Sequence, residues 1–268
     1  MDLNGTLEPM LGFREPVSGL SHFLAALLAA FGSGVLFARS QGDRLKQAAM
    51  AIYGACLVAL FFASTAYHLI TLPPDALVYF RKLDHASIFL LIAGTFTPFY
   101  AVAVEGWWRL GNLMLIWTLA VVGIGLKITF IDMPDKWSAA LYVGMGWLAL
   151  IGYAKLASVI SHRAMARVFA GGVVYTLGAL VDGLRWPVPW PGVFGFHETL
   201  HVLVMIAAAI HYSVIHRYLV PFAPPAPEPA PAPAGEPAAA GEPAAAALRL
   251  TPAPAPASGP ASGRRRRG

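Results

Sequence analysis

Long apolar runs separated by short polar breaks dominate the chain between residues 18 and 220. A helix needs about 20 apolar residues to cross a bilayer core about 30 Å thick. The runs that meet this demand are Ser18 to Ala38, Gln47 to Leu72, Asp84 to Val104, Leu110 to Ile131, Ser138 to Ile160, Arg167 to Leu184 and Phe196 to Leu219. Charges or prolines end them, as with Arg39, Asp43, Arg44 and Lys46 after the first run and Pro73-Pro74 after the second. Trp107 and Trp108 stand just beyond the third as interfacial anchors. The pattern predicts an all-α, polytopic membrane protein. Its seven-transmembrane-helix bundle occupies 18–220, between an N-terminal segment, 1–17, and a tail, 221–268.

Composition agrees with that picture and narrows it. Apolar residues make up 57% of the chain and charged ones 12%, where a soluble domain carries about 25% charge. The mean hydropathy is +0.61. The one cysteine, Cys56, lies inside an apolar run and is expected to be a small buried hydrophobe, so no disulfide framework or cysteine metal site is foreseen. The first twenty residues hold Asp2, Glu8 and Glu15 and lack a basic, signal-like start, so no cleaved leader is expected. Beyond Pro221 the chain repeats Pro, Ala and Glu and closes on Arg264 to Arg267. A segment with so little to bury is expected to be disordered and extended, its arginines touching anionic headgroups. No folded basic face with interleaved aromatics is present, so nucleic acid is not expected as a partner.

The candidate chemistry begins at His197 and His201, four apart at the start of the last run and thus on one helix face. Such a pair alone is as well explained by polar packing. Helix counting adds company, because with seven spans the end of the second, the start of the third and the start of the seventh share one membrane side. Ser64 and His68 lie at the first of these places and Asp84 and His85 at the second. Ionisable groups at membrane depth cost about 2.5 to 3.5 kcal/mol on insertion scales and face a bundle interior. Three neutral imidazoles with an open fourth position describe a catalytic zinc site, so His68, His197 and His201 are the expected ligands, with water as the fourth. Asp84 would orient that water and take its proton, its alternative being a helix N-cap. Ser64, one turn before His68, would donate to the water or to a developing oxyanion, its alternative being a bond to the carbonyl one turn back.

These residues carry a resemblance. Ser64-x3-His68, the run Arg81 to Phe99, Gly171-Gly172-Val173-Val174-Tyr175-Thr176-Leu177-Gly178 and His197-x3-His201 together resemble the hemolysin III family, which belongs with the progestin and adipoQ receptors. The likeness covers residues 14 to 220 and leaves out the tail. It implies a seven-helix bundle in a cell membrane, the inner or plasma membrane of a bacterium. It also implies an intramembrane zinc held by His68, His197 and His201, with Asp84 and Ser64 beside the ligands. The family marks its first helix with Glu-x2-Asn-x3-His. Here Glu15 and His22 match, and Ser18 stands in place of the asparagine.

His197-Glu198-Thr199-Leu200-His201 also fits the His-Glu-x-x-His pattern of zinc proteases, in which the glutamate is the base. Such enzymes need a third ligand, and no carboxylate follows Glu198 before Glu228. His211 is ten residues past His201, about 15 Å along a helix, too far to share an ion. Glu198 is therefore expected to be a gate or a headgroup-level contact. His85 is expected to hydrogen-bond beside the site, Asp182 is a possible contributor, and His162 and His216 belong to the opposite interface. The glycines of the sixth span, Gly171, Gly172, Gly178 and Gly183, suit close helix packing.

Three function classes remain: a zinc-dependent hydrolase of a lipid amide or ester entering from the bilayer, a receptor holding a lipid beside a structural zinc, and a membrane-lytic protein. The first is the preferred expectation. Loop charges favour a cytoplasmic C-terminus, with Arg39, Arg44, Lys46, Arg109, Arg163, Arg167 and Arg217 on the side away from the site. The receptor relatives imply the reverse orientation.

Overall fold

The computed structural model describes residues 13–223. The opening residues 1–12 and the Pro/Ala-rich tail beyond residue 223, with its expected disorder, lie outside the described residues. Eight helices follow one another: α1 Pro16–Arg39, α2 Arg44–Leu69, α3 Pro74–Ala103, α4 Gly106–Thr129, α5 Asp135–Trp147, α6 Tyr153–Ile160, α7 His162–Leu184 and α8 Phe196–Val214. A wider π turn, Ile215–Leu219, continues α8. No strand occurs among the described residues, and Trp190 and Phe194 form one isolated antiparallel bridge ahead of α8.

Six of these helices are long and apolar enough to cross a membrane: α1, α2, α3, α4, α7 and α8, the last taken with its π turn. Helices α5 and α6 meet the test only together, as a pair bent by 55°. The pair runs from one end of the bundle to the other. Ser138, in the first turn of α5, accepts a hydrogen bond from Lys127 in the last turn of α4, whereas α6 hands the chain to the start of α7. Counted as one bent span, the pair brings the crossings to seven.

Local sequence explains most helix limits. Asp43 caps α2 by accepting from the Lys46 amide, and the Ser161 hydroxyl caps α7 through Ala164. Arg39 lies in the last turn of α1, where the helix dipole favours a cation. The third helix corrects the sequence reading. It starts at Pro74, not Asp84, because proline has no amide to lose at a first helical position. Asp84 is thus inside α3 and is no N-cap.

Helix α3 sits at the centre of the bundle, its most apolar window 72% buried, against 28% for α1. Leu24, Leu28 and Phe31 of α1 point outward, as residues facing lipid do. Glycines let the inner helices approach. A β-carbon on Gly94 of α3 would sit 2.6 Å from Cys56 Cβ on α2, and one on Gly54 of α2 would sit 2.6 Å from Ser33 on α1. In α7 the expected packing role holds for half of the glycines: Gly171 abuts His211 and Gly178 abuts Leu200, while Gly172 and Gly183 face open space. Cys56 is buried and free, as its surroundings predict.

Candidate metal centre

The last turns of α2, the third turn of α3 and the first turns of α8 meet at the end of the bundle where α1 begins and α7 finishes. His68, His197 and His201 converge there, each offering a ring nitrogen within 4.8 Å of the other two. Their ring centroids are 4.7 to 5.0 Å apart in every pairing, so they surround one point. His68 and His201 are buried, and His197 is half-buried.

Carboxylates fix two of the rings. Glu15, just before α1, accepts from His68 Nδ1 at 2.6 Å, and Asp182 near the end of α7 accepts from His197 Nδ1 at 3.0 Å. With Nδ1 occupied, each ring turns Nε2 toward the cluster, as carboxylate-oriented histidine ligands do. His197 Nε2 and His201 Nε2 are 3.2 Å apart. Two nitrogens each about 2.0 to 2.1 Å from one tetrahedral ion stand about 3.3 Å apart, so this spacing fits shared ligation. Burial works against charge on Glu15, but the His68 hydrogen bond and Arg14 at 3.0 Å hold its carboxyl below the ordinary range. The segment that carries Glu15 is itself tied down, its amide donating to the His68 carbonyl at 2.9 Å.

The other expected residues are close by. An Asp84 carboxylate oxygen lies 3.9 Å from His68 Nε2. Ser64 Oγ is 2.8 Å from His22 Nδ1. His22 Nε2 faces the His201 carbonyl at 3.4 Å. A carbonyl only accepts, so Nε2 carries the proton and Nδ1 accepts from Ser64. The Ser64 hydroxyl therefore gives its proton to His22 Nδ1. It does not bond the carbonyl one turn back, as neighbouring Thr65 does with Phe61.

Several expectations change. Glu198 is neither a gate nor a headgroup contact: it is buried, accepts from the Gly195 amide at 2.8 Å and from Ser18 Oγ at 3.1 Å, and so caps α8 and ties it to α1. Ser18, at the position where an asparagine is the rule, keeps a polar role through that bond. His85 does not join the cluster, and its Nδ1 is buried without a partner. Its carbonyl accepts from Tyr142 at 3.3 Å. His162 and His216 sit at the opposite end, bonded to Tyr153 and Arg39. Sequence reasoning passed over Lys127, which is fully buried beside Ser138; its place at the end of the fourth apolar run was the available signal.

A cavity of about 620 Å³ opens at the cluster and extends among α2, α3, α5, α7 and α8. Leu60, Ile88, Leu91, Phe96, Phe99 and Val204 supply much of its apolar wall.

The family described as haemolysin-III related matches residues 12–212. The chain is 31% identical to Hemolysin-3 of Bacillus cereus over 214 residues, covering 78% of this chain and 94% of the relative. It is 25% identical over 221 residues to monocyte to macrophage differentiation factor of Homo sapiens, covering 81% and 88%. The adiponectin receptor protein of Drosophila melanogaster is 30% identical over 155 residues, covering 51% of this chain and 34% of the relative.

Proposed function

The chain belongs to the haemolysin-III related family of multi-pass cell-membrane proteins, and from that premise we propose that it is a zinc-dependent hydrolase of a lipid amide or ester. The observation that supports this reading is the meeting of His68, His197 and His201 at one end of an apolar cavity, with Asp84 and Ser64 beside them. Three imidazoles suit zinc among the divalent ions, and the two carboxylates on Nδ1 supply the outer support such ligands need. A zinc ion bound there supplies a Lewis acid and brings the pKa of a water toward about 7.

The chain's own groups carry the remaining tasks. Asp84 holds a carboxylate beside the histidines, where it orients a water and takes its proton. Ser64 turns its hydroxyl from His22 toward a carbonyl oxygen of the substrate as negative charge grows there. Glu15 and Asp182 keep the His68 and His197 rings in place. The apolar wall takes an acyl chain and keeps bulk water from the reacting bond.

Purified protein is expected to carry stoichiometric zinc and to cleave an N-acyl or ester lipid. Asp84→Asn keeps the zinc and loses turnover; His197→Ala loses both. Absence of stoichiometric zinc from the wild type, or full turnover in Asp84→Asn, overturns the reading. A lipid-binding receptor is the second reading, favoured by the relatives named adiponectin receptor and ADIPOR-like receptor. It predicts saturable lipid binding that survives Asp84→Asn with no turnover in either protein.

A further inference from the structure

We propose that the deep end of the cavity is a second, polar subsite, which takes the oxygenated end of a medium-chain lipid whose other end lies at the histidine cluster. The proposal rests on reading the cavity as a lipid site, but not on turnover.

The cavity that is lined at one end by His68, His197 and His201 is also lined by Tyr175 of α7, His211 of α8 and Tyr100 of α3. His211 lies ten residues beyond His201 on α8, and Tyr175 seven residues before Asp182 on α7, which puts this end about 10 to 15 Å from the cluster at 1.5 Å per residue. Between the two ends the wall is apolar, with Ile88, Leu91, Ile92 and Val204.

His211 is only 9% exposed, and its Nε2 is 2.9 Å from the Val168 carbonyl. That carbonyl can only accept, so Nε2 holds the proton and the neutral ring presents Nδ1 as an acceptor. Nδ1 is buried and has no partner. The Tyr175 ring packs 5.6 Å from the His211 ring, and its hydroxyl makes no hydrogen bond among the described residues. Tyr100, whose hydroxyl is also unpartnered, lies sixteen residues past Asp84 on α3, about 24 Å along and beyond this end. Buried polar groups are paired in all but a few cases, so unsatisfied ones around a cavity mark the place of a missing polar partner.

The inventory defines that partner. His211 Nδ1 needs a donor, whereas a tyrosine hydroxyl can give or take, so a ligand hydroxyl satisfies both. A keto oxygen can use Tyr175 alone. A plain methyl terminus satisfies neither and leaves the groups unpaired. A zigzag chain with bonds about 1.5 Å long spans the 10 to 15 Å gap with about eight to twelve carbons.

The test is equilibrium binding to the full chain in lipid nanodiscs, using decanoic acid and 10-hydroxydecanoic acid as probes. The wild type is expected to prefer the hydroxylated probe about tenfold or more, because sites that hydrogen-bond a ligand hydroxyl discriminate against analogues without it. A series of terminal hydroxy acids is expected to bind best at about eight to twelve carbons. Tyr175→Phe removes one oxygen and keeps the ring; it should cut the preference severalfold, with His211 Nδ1 left as the remaining partner of the ligand hydroxyl. Equal binding of both probes to the wild type, as expected if water alone fills the subsite, overturns the proposal. A preference undiminished in Tyr175→Phe also overturns it. A protein that shows the preference but cleaves no lipid keeps this subsite and loses the hydrolase; one that cleaves without preference does the opposite.

Discussion

Glu15 and Asp182 set the direction of two imidazoles that would otherwise rotate freely about their side-chain bonds. Each accepts from Nδ1 and leaves Nε2 for a metal. Removing such partners typically lowers metal affinity about 10- to 100-fold. Glu15→Gln and Asp182→Asn are therefore each expected to weaken zinc binding by that factor in competition with a chromophoric chelator, with the helices intact by circular dichroism. An unchanged affinity in both would mean that the carboxylates are bystanders. Glu198 provides a contrast at the same scale. Its bonds to Gly195 and Ser18 make it a cap, so Glu198→Gln should leave any hydrolytic rate within a few-fold, whereas loss of a general base costs about 10²- to 10⁴-fold. The convergence of His68, His197 and His201 was legible from spacing and helix count; their partners were not. Ser64 meets His22 across 42 positions, and Glu15 meets His68 across 53. No periodicity within one helix encodes such pairings, or the bond from Ser18 of α1 to Glu198, 180 positions apart.

Helices were easier to read than their ends. The apolar runs located α1, α2, α4, α7 and α8 to within a few residues, because each is a continuous stretch bounded by charge or proline. Two features escaped that reading. The stretch from Pro74 to Leu83 is polar enough to pass for a loop, yet it is helical and lifts Asp84 well into α3. The α5 to α6 bend lies in an unbroken apolar run, where hydropathy carries no signal for a short 3-10 turn at Leu148–Leu150. Close approach of α2 and α3 depends on Gly94, and that of α1 and α2 on Gly54, each with 2.6 Å to the nearest neighbouring atom from an added β-carbon. Gly94→Ala and Gly54→Ala are expected to destabilise by about 1 to 3 kcal/mol, the usual result of overpacking. Gly125→Ala, where an added β-carbon meets nothing within 4 Å, should be neutral or stabilising by up to about 1 kcal/mol from helix propensity. Thermal melts of the detergent-solubilised variants rank the three; equal melting points would show that these glycines do not set the helix spacing.

At the scale of the whole bundle, the histidine cluster joins segments that are far apart in sequence, with His68 on α2 and His197 and His201 on α8. The Glu15 and Asp182 bonds extend the same knot to α1 and α7. A ligand that binds only where these helices are assembled shifts the folding equilibrium by mass action, by about 2.7 kcal/mol at a hundredfold excess over its dissociation constant. Zinc is thus expected to raise the melting temperature of metal-stripped protein in a concentration-dependent way, and chelation to reverse it. The sign with pH follows from the ligands. Imidazoles must be neutral to bind, so protons compete with the metal, and the zinc-dependent gain should shrink as pH falls. His68→Ala removes the α2 arm and leaves the two histidines of α8, which belong to a single helix and cannot clamp it to α2. That variant should therefore lose the zinc-dependent shift almost entirely, even if some metal still binds. A shift of wild-type size in His68→Ala would mean that the ion does not bridge the helices, and with it the cluster would lose its role in holding the bundle together.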